Sequence, residues 1–184
     1  MTPRLKVVLD ANVLYPPTLR DTLLRAAEKG FLQAYWSERI LDEVTRNIVG
    51  SGTMTEERAS RLRATMTRAF PEASITGYEH LISAMKNDKK DRHVVAAAVK
   101  ARAQVVVTAN LKDFRDLPEG IEAESPDDLL CKLFEVDPVA MVDLVKAQAA
   151  DHRNPPHSLE ELLKALAKVV PRFAANLRAQ SSAE

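Results

Sequence analysis

The sequence predicts an α/β domain built on a central parallel β-sheet flanked by α-helices, with a helical appendage at its C-terminal end. Two short, almost wholly apolar runs, at residues 4–10 and 104–108, suit strands buried on both faces. Segments of helical periodicity alternate with strand-like runs through residues 4–134, an order that calls for parallel strands joined by crossing helices. From residue 137 onward only helical patterns remain, so the domain is expected to span residues 1–136 and the appendage 137–184.

The first strand carries Leu5, Val7, Val8 and Leu9 and ends at the turn-like Asp10-Ala11-Asn12. Leu19, Leu23, Ala26 and Ala27 then define a helix over residues 19–29, with Gly30 suited to the position that stops it. A short strand follows at 33–36. Ser37 is placed to cap a helix reaching residue 49, whose apolar stripe is Ile40, Leu41, Val44 and Ile48, and Gly50-Ser51-Gly52 ends it. Thr55 opens the next helix, which lasts until Pro71, and a short helix is expected at 78–85. The polar stretch from Lys86 to Asp91 gives way to a strong apolar helix, Val94-Val95-Ala96-Ala97-Ala98-Val99. Val105, Val106 and Val107 form the next buried strand, residues 121–124 an edge strand, and 126–134 a helix.

In the appendage, Asp137 followed by Pro138 reads as a helix start, and Ser158 with Glu161 as a capping box. Leu159, Leu162, Leu163, Leu166, Val169, Val170 and Phe173 fall on one helical face, which Pro171 should kink or split.

With 46% hydrophobic and 28% charged residues, 5 Gly and 10 Pro, the chain of 184 residues is of ordinary globular composition, which excludes collagen-like and low-complexity classes. The lone cysteine, Cys131, forms no internal disulfide, and four histidines leave few soft ligands for structural zinc. No apolar run approaches membrane-spanning length, and Met1-Thr2-Pro3 leads straight into a strand pattern rather than a signal segment, so a cytoplasmic, unprocessed protein is expected. The net charge is zero, but Arg58, Arg61, Arg63 and Arg68 cluster without an acid among them, while residues 117–143 are strongly acidic.

In an open α/β sheet, chemistry collects at the carboxyl ends of the parallel strands, where loops and helix N-termini border a crevice. Asp10 ends the first strand, and Asp113 lies in the loop after the strand at 104–108. A helix leading into a parallel strand runs opposite to it, which brings Asp91 to the same edge. Asp91 precedes Val94, Val95 and Ala98 by three, four and seven residues, so it is expected to point along the sheet-facing stripe, with Arg92 and His93 pointing elsewhere. A plain helix cap for Asp91 and a satisfied turn for Asp10 are the ordinary alternatives. On the helix after the second strand, Asp42 points away from the apolar stripe, while Glu38 and Glu43 flank it. Glu38 suits the first-turn dipole, which leaves Glu43 as the candidate.

Several acids on one edge, without His or Cys, repel each other unless a cation neutralises them. Oxygen-only ligation favours magnesium or manganese over zinc, and such ions suit phosphodiester hydrolysis. No glycine-rich phosphate loop and no Gly-x-Ser-x-Gly elbow is present, which argues against nucleoside-triphosphate and acyl-transfer enzymes.

Four segments carry a family resemblance: Val7-Val8-Leu9-Asp10-Ala11-Asn12-Val13-Leu14, Trp36-Ser37-Glu38-Arg39-Ile40-Leu41-Asp42-Glu43-Val44, Asp88-Lys89-Lys90-Asp91-Arg92-His93-Val94-Val95-Ala96-Ala97-Ala98, and Val106-Val107-Thr108-Ala109-Asn110-Leu111-Lys112-Asp113-Phe114. In this order and spacing they resemble the PIN-domain ribonuclease family, and more narrowly the VapC-like toxins of bacterial toxin–antitoxin pairs. Ser125-Pro126-Asp127-Asp128-Leu129-Leu130 resembles the close of such domains, and the likeness covers residues 5–134.

The resemblance implies a three-layer α/β/α fold and a Mg2+- or Mn2+-dependent endoribonuclease. Asp10, Glu43, Asp91 and Asp113 take the catalytic, metal-ligating places, with Asn12, Thr108 and Asn110 positioning substrate and water. Asn110 stands where many members have an acid two residues after the threonine, so the fourth ligand is left open between Asp113, Asp88 and Asn110.

An RNA substrate and a cognate antitoxin, laying a helix or strand with an Arg or Lys over the acidic site, are the implied partners, with no membrane. Arg58, Arg61, Arg63 and Arg68, with Lys86, Lys89, Lys90 and Arg92, are candidates to guide an RNA backbone. The apolar stripe from Leu159 to Phe173 packs on its own domain or serves a homodimer or antitoxin contact. A PIN nuclease of RNA maturation without an antitoxin, and a non-catalytic scaffold, are the competing functions; the presence of Asp10, Glu43 and Asp91 counts against the scaffold.

Overall fold

The computed structural model describes residues 4–152 and 157–182; residues 1–3, read above as an unprocessed lead into the first strand, lie outside the described residues. Five strands, β1 (Leu5–Leu9), β2 (Leu32–Ser37), β3 (Ser74–Ile75), β4 (Val105–Val107) and β5 (Glu122–Glu124), form one parallel sheet in the order β3-β2-β1-β4-β5. Val7 lies opposite Ala34 on one side and Val105 on the other. Val7, Val8, Leu9, Val106 and Val107 are fully buried, as apolar runs between two parallel neighbours require. The helix-flanked parallel sheet predicted from the sequence is thus the one observed. Two-residue β3 was not predicted, because it is too short to carry a period. It exists through its pairing with Trp36 and Ser37.

The chain divides into two compact units, one comprising Met1–Tyr15 and Leu32–Glu124, the other Pro16–Phe31 and Ser125–Glu184. The first holds the sheet with α1 (Ala11–Leu14), α3 (Glu38–Gly50), α4 (Glu56–Ala69) and α5 (Arg92–Ala101); α2 (Pro17–Glu28) belongs to the second. Ser37 Oγ accepts from the Ile40 N–H at 3.2 Å, which starts α3 and sets Ile40, Leu41, Val44 and Ile48 into the core. Thr55 caps α4 in the same way. Residues 79–84 form a 3-10 helix rather than an α-helix, with no side-chain cap at the start and no fully buried side chain to support a longer ladder. In α5, His93, Val94, Val95, Ala96, Ala97 and Ala98 are all buried, so this helix is covered on every side of its first two turns.

The second unit packs α2 with α6 (Pro126–Val136), α7 (Pro138–Asp151), α8 (Leu159–Ala167) and α9 (Pro171–Ser181). Gly30 at φ 83° ends α2, its N–H bonding Ala27 O at 2.9 Å while Phe31 N–H reaches Ala26 O at 3.0 Å. Gln148 on α7 accepts the Thr22 hydroxyl at 2.8 Å and donates to Thr18 O at 3.1 Å, satisfying a buried amide. Asp137 caps α7, and the predicted capping box of Ser158 and Glu161 is complete. Pro171 splits the last helix: α8 stops at Ala167 and α9 begins at the proline. The split expected at Pro171 is thus the one observed, and it divides the apolar stripe between two helices. Leu162, Leu163, Leu166, Val170 and Phe173 are buried, but Val169 sits in the intervening turn and is exposed. Asp127 of α6 caps α9 from outside, with Oδ1 accepting Phe173 N–H at 2.9 Å and Oδ2 accepting Arg172 N–H at 3.2 Å. Arg172 in turn pairs with Asp127 and Asp128. Among the described residues no helix is long and apolar enough to cross a membrane.

Candidate active site at the carboxyl edge of the sheet

Asp10 leaves the carboxyl end of β1 and becomes the N-cap of α1, its Oδ1 accepting the Ala11 N–H at 2.8 Å. The side chain is only 4% exposed, and its Oδ2 accepts the Thr108 hydroxyl at 2.9 Å. Burial pushes this carboxyl above the usual range, the Thr108 and Ala11 bonds oppose that, and the charge of Glu43 adds to it. Asp10 is both a satisfied turn residue and a member of an acidic set.

Thr108, one residue past β4, is the hub of the polar network. Its Oγ1 accepts from Asn12 Nδ2 and from the Asn110 N–H, both at 3.1 Å, while Asn12 Oδ1 accepts the Ala109 N–H at 3.0 Å. Asn12, Thr108 and Asn110 therefore tie the loop after β1 to the loop after β4. Asn110 also donates through Nδ2 to Asp113 Oδ2. The residue standing where an acid was looked for thus steers the acid three positions later.

Asp91 occupies the N-cap place of α5 but makes no capping hydrogen bond, so the helix-cap explanation for it fails. Burial, then the charge of Asp10, push its carboxyl up to about 6, with Asp113 and Asp88 contributing and Lys90 opposing. Asp113 is nearly covered, and its Oδ2 pairs with Lys90 Nζ at 2.9 Å, which holds it below the usual carboxylate range. Asp88 is exposed and caps the turn at Lys89–Asp91 by accepting the Lys90 N–H at 3.1 Å.

Glu43, half-buried on α3, places Oε1 3.0 Å from His93 Nε2 and 3.8 Å from Arg39 Nε. The other acids of this helix go elsewhere: Glu38, which also flanks the stripe, and Asp42, which points away from it, both pair with Arg63, and on α4 Arg61 pairs with Glu57. The basic cluster expected from Arg58 to Arg68 is partly neutralised in this way, because acids distant in sequence or one turn away meet it. His93 corrects a second expectation. It was expected to point away from the sheet-facing stripe, yet it is 1% exposed and lies against Glu43. The signal was present in the absence of any polar residue from Val94 to Val99, which marks a helix without a solvent face.

Among the described residues, no three His, Cys, Asp or Glu side chains converge closely enough to hold a metal ion as they stand. The donor set nevertheless suits a hard divalent cation: it is carboxylate oxygen throughout, and the charge of Glu43 on Asp10, and those of Asp10 and Asp113 on Asp91, push two of these carboxyls up in a way a cation would relieve. A groove of about 560 Å3 opens beside Asn12, lined by Tyr15, Arg46, Asn47 and Gly50.

A parallel α/β sheet with acids from four different elements at its carboxyl edge and a threonine–asparagine network beside them defines the class. A family model described as "PIN domain" matches residues 6–112, and the chain belongs to the PIN-domain family. A second, described as "VapC50 C-terminal domain", matches residues 126–179. The chain is 44% identical over 105 residues to a Mycobacterium tuberculosis (strain ATCC 25618 / H37Rv) protein named "Putative ribonuclease VapC50". That match covers 55% of this chain and 62% of the relative, so the chain spans about three fifths of the relative it matches. No solved structure matches.

Proposed function

We propose that the chain is a divalent-metal-dependent endoribonuclease and the toxin of a toxin–antitoxin pair, acting in the cytoplasm on RNA and restrained by a cognate antitoxin. The observation that carries this reading is the acidic edge itself, where Asp91 is left uncapped beside buried Asp10 with its carboxyl pushed up to about 6. The name of the mycobacterial relative and the match to its C-terminal domain support the toxin assignment. In this reading residues 1–136 carry the nuclease and 137–184 the extension.

Asp10, Glu43, Asp91 and Asp113 would hold Mg2+ or Mn2+. Such an ion, when bound, supplies polarisation of a phosphodiester and an acidified water. The chain's own part is positional. Thr108 fixes the rotamer of Asp10 through its hydroxyl, Asn12 and Asn110 fix Thr108, and Asn110 orients Asp113. Lys90 neutralises Asp113 in the metal-free protein and is free to turn to a substrate phosphate once a cation takes over that charge. An antitoxin's Arg or Lys would satisfy the same acids.

The reading is tested by inducing the chain in a bacterial host and mapping new RNA ends. Growth arrest with discrete new ends, both absent for Asp91→Asn, is expected. Normal growth with unchanged RNA ends in cells that accumulate folded parent contradicts it.

A further inference from the structure

His93 is more than nine-tenths buried, and neither of its ring nitrogens has a hydrogen-bond partner among the described residues. Burying an imidazole with its Nδ1 unmatched is costly, and in a helix otherwise lined by Val and Ala a leucine would fill the space without that cost. What the imidazole has that leucine lacks is its approach to Glu43, with Nε2 3.0 Å from Oε1.

Glu43 stands between two basic groups. Arg39, one turn earlier on α3, draws it along the exposed helix surface at 3.8 Å, while His93 meets it from the buried side. A glutamate reaches its carboxylate through three rotatable bonds, so a second partner is needed to choose the inward rotamer. The influence of both Glu43 and His93 on the Asp10 carboxyl places the pair beside the acidic set.

We infer that His93 is a positioning residue which holds the Glu43 carboxylate turned toward Asp10, against the pull of Arg39, and thereby sets the divalent-cation affinity of this edge. The inference rests on the metal-dependent reading above. It follows the general pattern in which a buried partner orients a ligating side chain, whose loss costs about 10–100-fold in affinity.

Mn2+ binding by the full chain, read as loss of the free-ion paramagnetic resonance signal, tests it. His93→Leu is expected to weaken binding about 10–100-fold, whereas His93→Gln, whose amide nitrogen reaches the Nε2 position, stays within about threefold of the parent. In a Glu43→Gln background, His93→Leu has no further effect. A folded His93→Leu that binds Mn2+ like the parent overturns the role of His93 alone; a parent that binds no Mn2+ overturns the metal reading and this inference with it.

Should His93→Leu not fold, nitrogen resonances of the metal-free parent decide. The ring proton sits on Nε2 and its resonance moves in Glu43→Ala. A proton on Nδ1, or a resonance that does not move, overturns the assignment.

Discussion

At the scale of single residues, the clearest consequence of the acidic edge is a pH-dependent stability. The Asp91 carboxyl is raised to about 6 from an ordinary 3.8, so the folded chain holds more protons than the unfolded one between those values. Stability from this group therefore falls as pH rises through that window. Asp91→Asn removes the repulsion and should stabilise the metal-free protein at pH 7 by ~1 kcal/mol, after discounting for solvent screening of a partly exposed group. Urea unfolding in EDTA checks this: the gain should shrink toward pH 4.5, and a variant no more stable than the parent at pH 7 contradicts it. Thr108→Val, which keeps shape but removes the hydroxyl that Asp10 accepts, should cost about 1–2 kcal/mol in the same assay. Asp10 and Asp113 were legible because strand ends fix their edge, and Asp91 because the helix direction follows from the next parallel strand. His93 was not, since a stripe argument assigns one buried face and α5 has no exposed residue before Lys100.

At the scale of elements, starts and stops were legible wherever the determinant is local. Ser37, Thr55, Asp137, Ser158 and Gly30 act on their own helices, and each does what its residue type dictates. The start of α9 was not legible beyond its proline, because its cap is Asp127, about forty-five positions away in sequence. Asp127→Ala should therefore cost more than Ser158→Ala, about 2 kcal/mol against ~1, since it strips two backbone N–H groups of their acceptor and Arg172 of a partner. Chemical denaturation of the two variants side by side measures the difference, and equal costs would contradict the assignment of Asp127 as a tertiary cap. β3 and the 3-10 turn at Leu111–Asp113 escaped the sequence because nothing periodic fits in so few residues, while at Glu79–Ala84 a short helix was expected and only its 3-10 character was not legible.

At the scale of the whole molecule, a net charge of zero leaves nucleic-acid attraction to local groups, and the structure narrows those further by pairing Arg61 and Arg63 with acids. The fold order was readable from alternating patterns, while the grouping of α2 with the C-terminal helices depends on long-range contacts such as Thr22 with Gln148. A cation bound by folded chain alone stabilises it by mass action, by about 2.7 kcal/mol at a hundred times its dissociation constant. Thermal unfolding with and without Mn2+ should show that rise in the parent and not in Asp10→Asn. Whether this acidic edge cuts RNA with a divalent ion is measured most directly by cleavage of a structured RNA pool by the purified chain. Discrete products with Mn2+ or Mg2+, abolished by EDTA and by Asp91→Asn, are the predicted result. Cleavage that persists in EDTA, or is equally strong with Asp91→Asn, would contradict the account.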